Sequence, residues 1–247
     1  MICIAFARRD LKIKYNRFSL GLTWTILQPL MYLIAFSILF QYVLPIESDY
    51  PYVLFVFPGI LCWTLFNYIF AQAGSSLIQS QDLVKKLQFP RALLPLSKSI
   101  TGLFDFSIGF LFLPILHLIY QYPISLKVLL IPVPITCLVC FALALGVFMS
   151  RLTVINRDLQ NVIPFLIGLS IWLTPVFFPV SIVPEPFKDL IYLNPITGCL
   201  EALRWMISPE LGHLNLIVIL GLIACPLFLL ISLFSFQSIE YKITDAL

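Results

Sequence analysis

Few side chains in this 247-residue chain have the types and spacing that catalysis or metal binding requires. The two histidines, His117 and His213, have no ligand partner at helical spacing, and the pattern H-E-x-x-H is absent. The sequence also lacks G-x-x-x-x-G-K-[ST], the loop that cradles ATP phosphates. We therefore expect no metal, no cofactor and no ATPase site in this chain. Any Mg-ATP should be bound by a separate partner subunit.

Two further sequence features could have either a chemical or a structural role. Cys137 and Cys140 form a C-x-x-C pattern, but no other Cys or His lies nearby in the sequence, which favours packing over a metal or redox site. Asp105 lies inside a predicted membrane span, where ionisable residues are costly and often functional. It follows Lys98 by seven residues, so a structural ion pair and a functional role both remain open.

The composition indicates an integral membrane protein. Hydrophobic residues make up 60% of the chain and charged residues 11%, with a mean hydropathy of +1.00. Because a helix needs about 20 apolar residues to cross a bilayer, the charge-free runs predict an all-α fold with six transmembrane helices in one domain, 1–247. The predicted spans are approximately 20–44, 53–76, 99–121, 128–150, 161–180 and 214–236.

The distribution of basic residues predicts the orientation. Six spans place both termini on one side. Of the 15 Lys and Arg residues, all but Lys127, Lys188 and Arg204 fall in segments on that side. By the positive-inside rule, both termini should face the cytoplasm. The basic residues form no separate basic domain, which argues against a nucleic-acid partner.

The N-terminal segment 1–17 is basic and compatible with a helix. A generic positive flank is one interpretation. A helix lying in the inner interface is favoured, because five basic residues within ten positions exceed what topology requires. These candidate ligands of lipid head groups are Arg8, Arg9, Lys12, Lys14 and Arg17.

The polar segment 80–98, "SQDLVKKLQFPRALLPLSK", separates the second and third predicted spans. It predicts two short cytoplasmic helices, with a bend at Pro90 and a limit at Pro95. We call this segment the knob. It either caps the two spans or contacts a partner. The candidate contact residues are Asp82, Leu83, Lys85, Lys86, Leu87, Pro90, Arg91 and Leu94.

Aromatic residues make up 15% of the chain. Many are explained by lipid-facing bulk and interfacial belts. The alternative is a pathway lined by rings, on which the C–H faces of sugars stack without strong directional bonds. The candidates are Trp24, Tyr32, Phe36, Phe40, Phe165, Trp172, Phe177 and Phe178.

The outer segment 180–213 contains two apolar stretches that are too short to span. Prolines divide it, and it predicts two short re-entrant helices before the last span. Irregular backbone at that depth must be shielded by protein or face a cavity, which suggests an outer gate. The candidate gate residues are Pro184, Pro186, Asn194, Pro195, Glu201 and Arg204.

Two long stretches resemble the membrane subunits of bacterial polysaccharide ABC exporters, with the O-antigen permeases most similar and the capsule and teichoic-acid permeases related. They are "RRDLKIKYNRFSLGLTWTILQPLMYLIAF" and "NRDLQNVIPFLIGLSIWLTPVFFPVSIVPEPFKDLIYLNPITGCLEALRWMI". The resemblance implies a homodimer of six-span permeases in the bacterial inner membrane, with two ATPase subunits beneath. It implies a lipid-linked polysaccharide as substrate, a knob that contacts the ATPase, and gate helices in the outer segment.

Two other functions remain as alternatives. One is a stand-alone channel or secondary transporter, which the knob disfavours. The other is a membrane enzyme of lipid-linked glycan metabolism, which the missing catalytic constellation disfavours. The sequence leaves open the sugar composition, chain length and lipid anchor of a glycan substrate.

Overall fold

The computed structural model of the protein describes residues 2–16, 21–40, 50–86 and 88–238, and this part of the chain folds into helices and turns. Within these ranges, short 3-10 helices lie at Leu126–Leu130, Arg157–Asn161 and Val180–Ile182. The α-helices are α1 (Ile2–Asn16), α2 (Gly21–Ile38), α3 (Tyr52–Gln79), α4 (Gln81–Lys86), α5 (Leu93–Phe110), α6 (Phe112–Ile119), α7 (Pro132–Ile155), α8 (Val162–Ser170), α9 (Glu185–Tyr192), α10 (Pro195–Ile207) and α11 (Leu216–Gln237).

The centre of the bundle is α3, which packs most extensively against α7 and also against α5, α2 and α8. Small residues allow the approach of α3 and α7. A Cβ added at Gly146 would lie 2.6 Å from the Cβ of Ala73, so the two backbones are nearly in contact. Ala142 and Ser150, one turn to either side, are fully buried. These small residues therefore line the close contact between the two helices.

Four helical stretches in the described ranges are long and apolar enough to cross a membrane. They are Tyr52–Gln79, Leu93–Ile119, Leu126–Ile155 and Leu216–Gln237. The protein is therefore a multi-pass helical membrane protein. The shorter apolar helix α2 occupies most of the first predicted span, whose end at 41–44 lies outside the described residues.

The fifth predicted span, 161–180, is not a continuous helix. Only α8 is α-helical there, and turns follow from Ile171 to Phe178. The segment is as apolar as a membrane span, but several of its backbone carbonyls accept hydrogen bonds from distant side chains. The six-span topology remains a prediction.

The knob also differs from its predicted form. Its first helix is present as α4, but 91–94 does not form a separate second helix, because α5 begins at Leu93 and continues through Pro95. A proline is tolerated in the first turn of a helix, where its missing N–H has no intrahelical partner. The third long helix therefore starts six residues before the predicted position 99.

Candidate functional site

A polar strip runs along one face of the otherwise buried helix α3. Its side chains recur at the three- and four-residue spacing of one helical face, and they are half-buried, whereas most of the helix is fully buried. The strip consists of Thr64, Asn67, Tyr68, Gln72 and Ser75. Polar groups inside a membrane bundle mark either interhelical bonds or a hydrated path.

The strip forms one wall of a cavity of about 350 Å³ between α2, α3 and α5, which we call the α2–α3–α5 cavity. Trp24 and Gln28 of α2 face Asn67 and Gln72 across it, and Asp105 of α5 closes one side. Its volume lies at the lower end of the range for small-molecule sites, about 300–1,000 Å³.

A second cavity, of about 340 Å³, lies between α3 and α8. Asn67 and Ala71 line both cavities, so the two adjoin along α3. A third concavity, of about 890 Å³, lies between α7, α9 and α11, and most of its lining is apolar. Of these three, the α2–α3–α5 cavity has the most polar side chains in its lining.

The N-terminal helix is fastened to α5 by two ion pairs, which we call the α1–α5 clamp. Lys98 is buried and donates to the Asp10 carboxylate at 2.5 Å. Further along α5, Lys14 and Tyr15 both donate to Asp105. Burial and the bond to Asp105 raise the pKa of Tyr15 above its usual range, so its hydroxyl stays protonated and donates. Asp105 thus forms a structural ion pair, with Lys14 as its partner.

The clamp divides the five basic residues proposed to contact lipid head groups. Lys14 is engaged with Asp105, and Arg9 donates to Asp10 at 2.9 Å. Arg8 and Lys12, four residues apart on one helical face, are exposed. Arg17 lies outside the described residues.

The knob presents a charged outer surface and an apolar inner one. Asp82, Lys85, Lys86 and Pro90 are exposed, and Leu83 is half-buried. Val84, in contrast, is buried in a small core with Leu77, Val147, Val154 and Phe236, which ties the knob to the ends of α3, α7 and α11.

The prediction that Leu94 anchors a partner is wrong. The side chain is 1% exposed and belongs to the same small core, because it lies in the first turn of α5 and points into the bundle. Arg91 is half-buried at the turn before α5, and Leu87 lies outside the described residues.

The predicted pathway aromatics occupy three different environments. Trp24 is half-exposed at the α2–α3–α5 cavity. Phe36 stacks on Phe177 with 3.4 Å between ring centroids, and Phe40 packs against Phe36 on one side and Tyr52 on the other. Phe178 is half-buried. Tyr32, Phe165 and Trp172 are also exposed, and none of them lines the α2–α3–α5 cavity.

The segment before α11 is organised around Arg204, whose side chain is fully buried. Its guanidinium donates to the carbonyls of Phe55 (3.1 Å), Pro175 (2.8 Å) and Val176 (2.8 Å). It also pairs with Glu201 at 3.2 Å and lies over the Phe55 ring at 3.6 Å. One side chain therefore joins α3, the turns after α8, and α10.

The other candidate gate residues define the helix boundaries of this segment. Asn194 caps α10 by accepting from the Ile196 N–H at 3.0 Å, and its amide donates to the Leu173 carbonyl and the Thr174 hydroxyl. Pro195 occupies the first turn of α10, where proline is favoured. Pro184 precedes α9, and Pro186 lies in its first turn.

Sequence reasoning missed the polar strip and the cavity it lines. The signal was present, since Thr64, Asn67, Tyr68 and Gln72 interrupt an apolar run at helical spacing. The partner of Lys98, in contrast, is Asp10, 88 residues away, which no local spacing indicates.

The fold and the site together define a multi-pass helical membrane protein with a cavity inside its bundle that is partly lined by polar side chains. The sequence matches the ABC-2 type transporter family over residues 2–207. The chain belongs to this family.

Curated relatives extend the likeness to most of the chain. The O-antigen export system permease protein RfbA of Myxococcus xanthus is 30% identical over 81% of this chain and 78% of its own length. A protein of the same name from Klebsiella pneumoniae is 25% identical over 100% of this chain and 95% of its own. The polysialic acid transport protein KpsM of Escherichia coli is 22% identical over 92% and 87%.

Proposed function

We propose that this chain is the transmembrane subunit of an ATP-driven exporter that moves a lipid-linked, O-antigen-like polysaccharide to the outer face of the bacterial inner membrane. The observation that carries the proposal is the match of the whole chain to an O-antigen export permease that it covers almost completely. The polar strip of α3 supports it, because a hydroxyl-rich polymer needs a path with hydrogen-bonding groups.

The proposed assembly contains two copies of this chain and two ATP-binding-cassette subunits, with both termini in the cytoplasm. The knob would receive the movement of the ATPase through its exposed Lys85 and Lys86, with Leu83 as an apolar contact. Its attachment to three long helices through the small core around Val84 would transmit that movement to the bundle.

The aromatic candidates fit this assembly in two ways. Trp24 would contact the glycan within one subunit, since it lines the α2–α3–α5 cavity. Tyr32, Phe165 and Trp172 would face a second copy or the path between the copies, since they are exposed on one chain. The outer segment containing α9 and α10 would form the outer gate.

Genetic complementation with measured ATPase coupling tests the proposed function. Deleting the gene should abolish surface polysaccharide while its lipid-linked form accumulates inside the cell, and the wild-type gene should restore export. The purified chain should carry an ATPase subunit with it. Normal surface polysaccharide in the deletion strain would refute the proposal, and export without any ATPase partner would favour a stand-alone transporter.

The clamp predicts that the basic residues of α1 differ in role. Changing Arg8 and Lys12 together to glutamine should weaken binding to anionic vesicles by about tenfold or more, since each basic residue at such a surface contributes about 1 kcal/mol. Thermal stability should stay unchanged because both side chains are exposed. Vesicle flotation of the purified complex measures the binding.

Lys14→Gln provides the matched comparison on the same helix. It should lower the melting temperature, because Asp105 loses its ion-pair partner, and it should leave vesicle binding nearly unchanged. Equal vesicle binding by wild type and the Arg8/Lys12 double variant would contradict the head-group assignment.

A further inference from the structure

We propose that the α2–α3–α5 cavity binds one uncharged sugar residue of the transported glycan. The inference rests on the proposed function, which supplies the glycan, and adds to it a defined place where the chain holds a single ring. It starts from a difference between this cavity and the concavity between α7, α9 and α11.

Hydrogen-bonding side chains outnumber apolar ones in the lining of the α2–α3–α5 cavity. In the concavity between α7, α9 and α11, apolar side chains dominate and only a few hydroxyls and one carboxylate contribute. Lipid tails suit the apolar concavity. A ligand for the α2–α3–α5 cavity must instead offer several donors and acceptors, as a sugar ring does.

Three side-chain amides in the cavity are available to such a ligand. Gln28 lies on α2, and Asn67 and Gln72 lie on the facing wall of α3. None of these amides bonds another side chain or a backbone group within the described parts of the chain. An amide offers both a donor and an acceptor, which matches the dual character of a sugar hydroxyl.

Trp24 supplies the apolar complement to the amides. Trp24 lines the same cavity and is 50% exposed, so part of the residue's surface is accessible. A flat aromatic surface covers the C–H face of a sugar ring, while the hydroxyls on its edge reach polar groups. A cavity with a ring at one wall and amides at another thus fits a pyranose better than it fits a lipid tail.

The charges of the cavity select against a phosphate. Lys14 reaches the lining, but it is paired with Asp105, which lines the cavity as well. The carboxylate would repel an anionic head group, whereas its spare lone pairs can accept from a sugar hydroxyl. The cavity therefore suits an uncharged residue of the glycan and not its pyrophosphate linkage.

The test is oligosaccharide binding to the purified permease–ATPase complex. The probe is the lipid-free polysaccharide that the host cell exports, digested to short oligosaccharides, with inorganic pyrophosphate as a second probe. The Asn67→Leu/Gln72→Leu double variant should bind the oligosaccharides about tenfold or more weakly, since it loses at least two hydrogen bonds. Leucine is well tolerated in a membrane bundle, so the fold should persist.

Gln79→Leu is the matched control, because Gln79 is an exposed amide on the same helix outside the cavity lining. It should bind like wild type. Equal affinity of the double variant and wild type, no oligosaccharide binding by wild type, or binding of pyrophosphate alone would each overturn the sugar site. The proposed function is judged separately, by whether the wild-type gene restores export in the deletion strain.

Discussion

The Arg204→Met variant should be less stable than wild type by about 3–5 kcal/mol, the cost of breaking a buried ion pair. The guanidinium is fully buried and donates to three carbonyls on two separate segments. Methionine fills much of the volume but leaves the three carbonyls without their donor and the Glu201 carboxylate without its cation. Thermal unfolding of the purified complex in detergent measures the loss.

Two further variants separate charge from geometry at this position. Arg204→Lys should also be strongly destabilised, because an ammonium group lacks the planar, forked set of donors with which the guanidinium meets three carbonyls and Glu201. Lys188→Met is the control, since Lys188 forms only an exposed ion pair with Glu185, worth at most about 1 kcal/mol. If Arg204→Met unfolds no earlier than Lys188→Met, the guanidinium does not hold this end of the bundle together.

Reversing both knob charges, with Lys85→Glu and Lys86→Glu, should reduce export and co-purification of the ATPase by at least tenfold. Both side chains are exposed at the end of α4, so the fold should persist. Four units of charge change at a contact create repulsion wherever the partner is acidic, and like-charge juxtaposition at an interface costs several kcal/mol. Surface polysaccharide and pull-down of the ATPase give the two measurements.

Arg157→Glu is the control for this experiment. Arg157 is exposed in the loop after α7. Near that loop, Thr153 donates to the carbonyl of Gly74, which lies near the knob end of α3. The loop and the knob therefore lie at the same end of the bundle. The Arg157 variant should keep its ATPase. If the Arg157 variant loses the ATPase and the knob variant retains it, the loop after α7, and not the knob, contacts the ATPase.

Local pattern predicted the parts of the fold that local forces determine. The predicted span 53–76 lies within α3, and the span 214–236 nearly coincides with α11. Long apolar runs flanked by turns leave few alternatives in a membrane, since the backbone must satisfy its own hydrogen bonds there. Asn215, for example, caps α11 by accepting from the Val218 N–H at 2.8 Å.

The predicted fifth span is not one continuous helix, because part of its backbone bonds to distant side chains. The carbonyls of Pro175 and Val176 accept from Arg204, and that of Phe177 accepts from the Tyr52 hydroxyl at 2.7 Å. With these partners the segment needs no helical bonds to remain satisfied. Hydropathy cannot reveal a partner that lies 125 residues away.

The same distinction applies to the candidate site. The basic residues of α1 and the charged surface of the knob could be predicted from the local amino-acid composition. The inward direction of Leu94 was not, because it depends on α5 beginning two residues earlier than Pro95 and on the packing of α7 and α11. The polar strip follows the three- and four-residue spacing of one helical face, so the local sequence pattern does contain it.

The bonds of Arg204 also restrict the kinematics of this end of the molecule. The planar Arg204 guanidinium bonds to the carbonyls of Phe55, Pro175 and Val176. If α3, the turns after α8 or α10 slid or rotated relative to one another, at least one of these bonds would break. Gly59 lies close to the same guanidinium and to the Val176 carbonyl. A Cβ built at Gly59 would lie within 3 Å of an atom of each, so there is no room for a side chain between them. These three segments therefore move as one unit. A passage that widens here without breaking those bonds must widen along a boundary outside the unit, such as the interface of the proposed dimer.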